Sequence, residues 1–182
     1  MQKLLSCCCL CALLTGLPLT AKAANAKIDP ESYICAELVA LASTESDGPL
    51  FEALQLDGYA AAALEQDLAV PEALAPLAMQ VVAICQAHPT EKVSTVWQDV
   101  RKQAVFPRGG PWQAERVPCK TYNDNPDEGS GFPVWLDGYN RQKSGTTASI
   151  LENNETYQSF LQACSRKPEA RMLDVLREQL QQ

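Results

Sequence analysis

The sequence predicts an all-α protein built from two small disulfide-linked helical-bundle repeats in tandem. Three observations carry this. Cysteines at 35 and 85 are answered by cysteines at 119 and 164. The tetrapeptide LDGY occurs at Leu56, Asp57, Gly58 and Tyr59 and again at Leu136, Asp137, Gly138 and Tyr139. Between these marks, apolar residues recur at helical spacing, and strand signals are scarce.

The first 23 residues read as a cleaved export signal. Lys3 gives a positive start, residues 4–19 are an apolar run too short to span a membrane, and AKA at residues 21–23 offers a small-residue cleavage site. No later stretch is long and apolar enough for a membrane span. The expected location is the periplasm. Four cysteines (Cys7, Cys8, Cys9, Cys11) leave with the signal. The remaining four form an even set in an exported chain, which points to two disulfides. With no C-x-x-C in the mature part and His88 as the only histidine, a metal site or redox dithiol is not expected, and no cofactor is implied.

Loss of Lys3 and Lys22 with the signal leaves 13 basic against 22 acidic residues, a net charge of −9 where the whole chain carries −7. That argues against nucleic acid or an anionic membrane as partner. Residues 27–105 hold 4 bases and 12 acids; residues 106–182 hold 9 and 10.

The two halves align beyond LDGY. Tyr59 precedes Cys85 by 26 residues, and Tyr139 precedes Cys164 by 25. Pro89 and Pro168 each follow the second cysteine by four, and an amphipathic stretch closes each half. An internal duplication explains all of this, with repeats at 27–105 and 117–182. It selects one bridge per repeat, Cys35–Cys85 and Cys119–Cys164. The stretch 106–116, FPRGGPWQAER, cannot continue a helix and reads as a linker, with Trp112 tucked against one repeat or partly exposed.

Four helices are expected in the first repeat. Ile34, Leu38 and Leu41 form a stripe. Pro49 opens a second helix bearing Phe51, Leu54 and Gly58 on one side, Pro71 opens a third, and Thr90 caps a fourth with Val93, Val96, Trp97 and Val100 inward. In the second repeat, residues 123–131 read as loop, which makes a first helix doubtful. Residues 132–142 form a short helix stopping near Gly145, 154–166 a clear helix, and 169–180 another. The sequon at Asn154 carries no functional weight.

Leu56 and Tyr59, like Leu136 and Tyr139, share a helix face, and the glycine between them costs about 1 kcal/mol of helix stability. LDGY is therefore read as a packing unit that seats its helix against the disulfide-linked pair, in preference to a binding surface. Asp57 and Asp137 are read as capping or solvated positions. No catalytic set emerges: there is no nucleophile elbow, no spare cysteine and no phosphate loop, and His88 reads as a surface helix-end residue. The chain is expected not to be an enzyme.

The pattern resembles the HdeA/HdeB-like family of small periplasmic acid-stress proteins. The resemblance rests on YICAELVAL at 33–41, WLDGYN at 135–140, QAC at 162–164 and the single bridge around each helical unit, and it covers residues 28–104 and 117–180. It implies a helical fold and a holdase-type chaperone, dimeric near neutral pH, that loosens in acid and holds unfolded periplasmic proteins on exposed apolar surface. Two copies in one chain would then pair with each other in place of a homodimer, or the whole chain would itself form a homodimer. The first copy carries Gln55 and Ala60 where the second has Trp135 and Asn140. Candidate client-binding residues are Phe51, Leu54, Val81, Val82, Trp97 and Trp135. The acidic first repeat changes charge most and is expected to open first. The alternative is a periplasmic protein-binding or inhibitor module that works at neutral pH, without catalysis, through the linker and LDGY surfaces.

Overall fold

The computed structural model describes residues 27–44, 49–107 and 109–181; the expected signal peptide lies outside them. The described residues form eight helices: α1 Cys35–Ala42, α2 Leu50–Ala63, α3 Pro71–Ala87, α4 Val93–Gln103, α5 Cys119–Asp124, α6 Phe132–Ser144, α7 Asn154–Arg166 and α8 Met172–Gln179. Only isolated two-residue bridges supplement them, so the fold class is all-α. None of these helices is long and apolar enough to cross a membrane.

Local chemistry sets the helix ends. The carboxylate of Glu37 accepts from the Ile34 N–H at 2.9 Å and caps α1. Pro71 and Pro133 occupy first-turn positions, where a missing N–H costs nothing. Asn153 accepts from the Thr156 N–H at 2.8 Å and starts α7. Gly145 adopts the left-handed region (φ 63°) and stops α6. Residues 119–124 form a helix where the composition made one doubtful, because the α5 N-terminus is satisfied from afar. Cys119 N–H donates to Ala170 O at 2.9 Å and Lys120 N–H to Pro168 O at 2.7 Å. The first half repeats this arrangement: Cys35 N–H donates to Glu91 O and Ala36 N–H to Pro89 O, both at 2.9 Å. The prolines four residues beyond the second cysteines thus mark the loops that cap α1 and α5.

The disulfides join Cys35 to Cys85 and Cys119 to Cys164, tying α1 to α3 and α5 to α7. α4 packs on α2, and α8 packs on α6 and α7. The most extensive helix contact runs between the halves, α2 against α6. One core cluster holds first-half residues, among them Leu38, Leu56, Val81 and Trp97. The other combines the second half with Ala61, Ala62 and Ala69 of the first.

The connecting segments and the segment before α1 are also tied down. Ala69 N–H donates to Trp112 O at 3.0 Å, and Ala114 N–H to Asp67 O at 2.7 Å. Ile28 N–H donates to Gln55 Oε1 at 3.2 Å, while Arg141 Nη1 donates to Ile28 O at 2.6 Å. The stretch read as a linker is therefore pinned, with Trp112 and Ala114 buried.

Candidate functional site

The site is the crossing of α2 and α6, the two LDGY helices. A side chain at Gly58 would place its Cβ 1.9 Å from the Trp135 carbonyl oxygen, and one at Gly138 would place its Cβ 2.1 Å from the Gln55 carbonyl oxygen. Each glycine admits the backbone of the other helix. The glycine faces of the two LDGY helices thus meet each other, while Leu56 shares a core cluster with Cys35 and Cys85, and Leu136 with Cys119 and Cys164.

The aspartates are also corrected. They are neither caps nor solvated; Asp57 is 3 % exposed and Asp137 fully buried. Asp57 accepts from Trp97 Nε1 at 2.9 Å, from Trp135 Nε1 at 2.8 Å and from Arg101 Nη1. Arg101, 1 % exposed, also donates from Nε to Gln66 Oε1 at 2.8 Å and from Nη2 to Leu68 O at 2.9 Å. Its guanidinium carbon lies 4.4 Å from the centre of the Phe106 ring. Three donors and a counter-charge compensate the buried carboxylate. One donor, Trp135, comes from the other half.

Asp137 sits differently. It accepts from Ser149 Oγ at 2.7 Å and the Ile150 N–H at 2.9 Å. Burial raises its pKa from 3.8 to about 6, against the lowering pull of those two bonds and of Arg141 and Lys27. Counting from the second cysteines, Leu176 and Leu180 stand where the first half has Trp97 and Arg101, so no second ion pair forms here. Both tyrosines reach a glutamate: Tyr59 Oη donates to Glu31 at 3.4 Å and Tyr139 Oη to Glu115 at 2.9 Å.

An aromatic row follows α6. Ring centres lie 5.3 Å apart for Trp112 and Phe132, 5.8 Å for Phe132 and Trp135, and 5.5 Å for Trp135 and Tyr139. Beside it opens a cleft of about 210 Å³ between the halves, lined in part by Leu50, Leu54, Leu74, Trp112, Phe132 and Trp135. Of the candidate client-binding residues, Val81, Trp97 and Trp135 are buried, while Phe51, Leu54 and Val82 are half-buried. The crossing gathers Leu54 and Trp135; Val81 and Val82 lie on α3, in and against the first core cluster. His88 ends α3 with its side chain half exposed, 3.4 Å from Glu91.

Sequence reasoning missed Arg101, Gln66 and Ser149. Arg101 left a signal: it continues the apolar stripe of Val93, Val96, Trp97 and Val100 at helical spacing. A cation on the buried face of a helix needs a buried anion.

Fold and site together define a class: an all-α, doubly disulfide-linked protein whose halves meet at a glycine crossing around a buried ion pair. Compared with known proteins, the chain matches no family model, no curated protein and no solved structure.

Proposed function

We propose that this is an exported acid-stress protein of the HdeA/HdeB-like kind, a tandem duplication whose two halves stand in for a dimer and part in acid to hold unfolded periplasmic proteins. The observation that carries it is the Asp57–Arg101 pair with Trp97 and Trp135 at the seam. Asp57 balances Arg101 and holds an indole from each half, so the seam depends on a buried charge pair. In strong acid the carboxylates neutralise, and 13 Lys and Arg side chains, His88 and the amino terminus repel one another. Parting of α2 from α6 bares Leu54, Phe132 and Trp135, while each disulfide keeps its own half compact. The test is aggregation of an acid-labile enzyme at pH 2–3 and at pH 7. Suppression in acid alone supports the reading; no suppression in acid, or equal suppression at pH 7, removes it.

A second reading, a non-catalytic binding module working at neutral pH, is favoured by one observation. The cleft beside Trp112 is open while the halves are closed.

A further inference from the structure

We propose that the cleft between the halves receives an extended protein segment bearing one large apolar side chain flanked by Lys or Arg. This deepens the neutral-pH binding reading and rests on it; the acid reading is not required.

Size argues first. The hole beside Trp112 holds about 210 Å³. It suits a single side chain. A second hollow of about 500 Å³ adjoins it and shares Ala69, Val70, Pro71, Trp112 and Glu128 with it. The two form one track, a more enclosed hole beside a more open bed, as an extended chain with one anchor requires.

The hole is also preformed. A Cβ at Gly129 would lie 2.4 Å from the Trp112 ring, and one at Gly131 would lie 2.9 Å from the Leu54 side chain. The 125–131 loop thus presses on both walls. Trp112 is further held through its carbonyl by the Ala69 N–H. A rigid wall lowers the ordering cost of binding. Leu50 stands 40 % exposed at the mouth.

Charge names the flanks. Among the described residues, the charged ones lining the track are Glu72 and Glu128, both exposed. An anionic rim around an apolar hole favours basic residues beside the anchor and disfavours acidic ones.

The test titrates the mature protein at pH 7 and low salt with three probes: the pentapeptides Ala-Lys-Phe-Lys-Ala, Ala-Glu-Phe-Glu-Ala and Ala-Lys-Ala-Lys-Ala. Binding is read from tryptophan emission and NMR shifts of Trp112. Saturable binding of the first peptide alone is expected. Glu72→Lys with Glu128→Lys should weaken it about tenfold, the scale of two solvent-screened charge contacts. Ser130→Trp, at an exposed lining position, should block it without lowering the thermal midpoint. Equal binding of the glutamate peptide would overturn the charge assignment yet leave a binding module of other chemistry. No saturable binding of either Phe peptide would overturn the inference and the module reading together. Tighter uptake of octylammonium than of the lysine peptide would overturn the inference in favour of a cationic amphiphile.

Discussion

Gly58 and Trp135 meet backbone to backbone: the Cβ that Gly58 lacks would fall 1.9 Å from the Trp135 carbonyl oxygen, and Gly138 stands in the same relation to Gln55. No rotamer change relieves a clash between main chains, so the helices must separate. Gly58→Ala and Gly138→Ala each gain about 1 kcal/mol of helix propensity but lose about 3 kcal/mol through overpacking, a net loss of about 2 kcal/mol. Denaturant midpoints check this, and an unchanged or higher midpoint would remove the crossing as described. Gly145→Ala, in open space at φ 63°, should lose only about 1–2 kcal/mol, from its left-handed backbone.

The Asp57–Arg101 pair predicts an asymmetry between single and double substitutions. Asp57→Asn leaves Arg101 buried without its counter-charge and should cost about 3–5 kcal/mol. Asp57→Asn combined with Arg101→Leu imitates the corresponding second-half position, Leu180, and should recover most of that loss. A double variant as unstable as the single one would mean that the charge pair is not the main interaction of Asp57. Urea unfolding at pH 7 decides it.

The helices were legible because their signals are local. Pro71 starts a helix, Gly145 stops one, and the apolar stripes of α4, α7 and α8 announce their inward faces. Thr90, read as the cap of α4, is not one, because α4 begins after Lys92 with no side-chain cap. The disulfide pairing followed from cysteine spacing within a repeated pattern. The crossing was half legible. A glycine kept in mid-helix signals close approach, but the sequence does not name the backbone that approaches. Asp57 was misread because its partners lie far along the chain, Trp97 and Trp135 being 40 and 78 residues away; the partners of Asp137 are only 12 and 13 residues on, in the turn after α6 that folds back over it. α5 was undervalued for a similar reason, since the carbonyls at its N-terminus come from residues 168 and 170.

The two disulfides close loops of nearly equal length, 50 and 45 residues apart in sequence. Chain entropy assigns each about 4 kcal/mol and makes them nearly equal. The cores interlock, because Ala61, Ala62 and Ala69 sit in the second cluster. Replacing either cysteine pair with alanine should therefore lower the midpoint of one shared unfolding transition. Two separated transitions in calorimetry would show instead that the halves fold independently.

Asp137 sets the sign of the pH dependence above the acid range. Its folded pKa, about 6, lies above its ordinary 3.8. The folded state therefore holds the proton more tightly than the unfolded chain, and the ionised form is the disfavoured one. At pH 7 that difference subtracts about 3 kcal/mol from stability. The loss is relieved as pH falls through about 6 and is gone below 3.8. Stability should thus rise between pH 7 and pH 4.5 in the native protein and stay flat in Asp137→Asn. An asparagine can still accept from the Ile150 N–H and donate to Ser149 Oγ, so the fold should survive the change. Asp29 acts oppositely: the Ser32 hydroxyl, followed by the Glu31 N–H and Arg141, holds its carboxyl below 3.8, so its contribution disappears only below that value. Any acid opening must then begin under about pH 4, after the Asp137 gain is complete. Thermal midpoints from pH 7 to pH 2 would show this as a rise followed by a fall. Hydrogen exchange at pH 2 would locate the opening, with faster exchange in the more acidic first half; a midpoint falling steadily from pH 7 would contradict the assignment of Asp137.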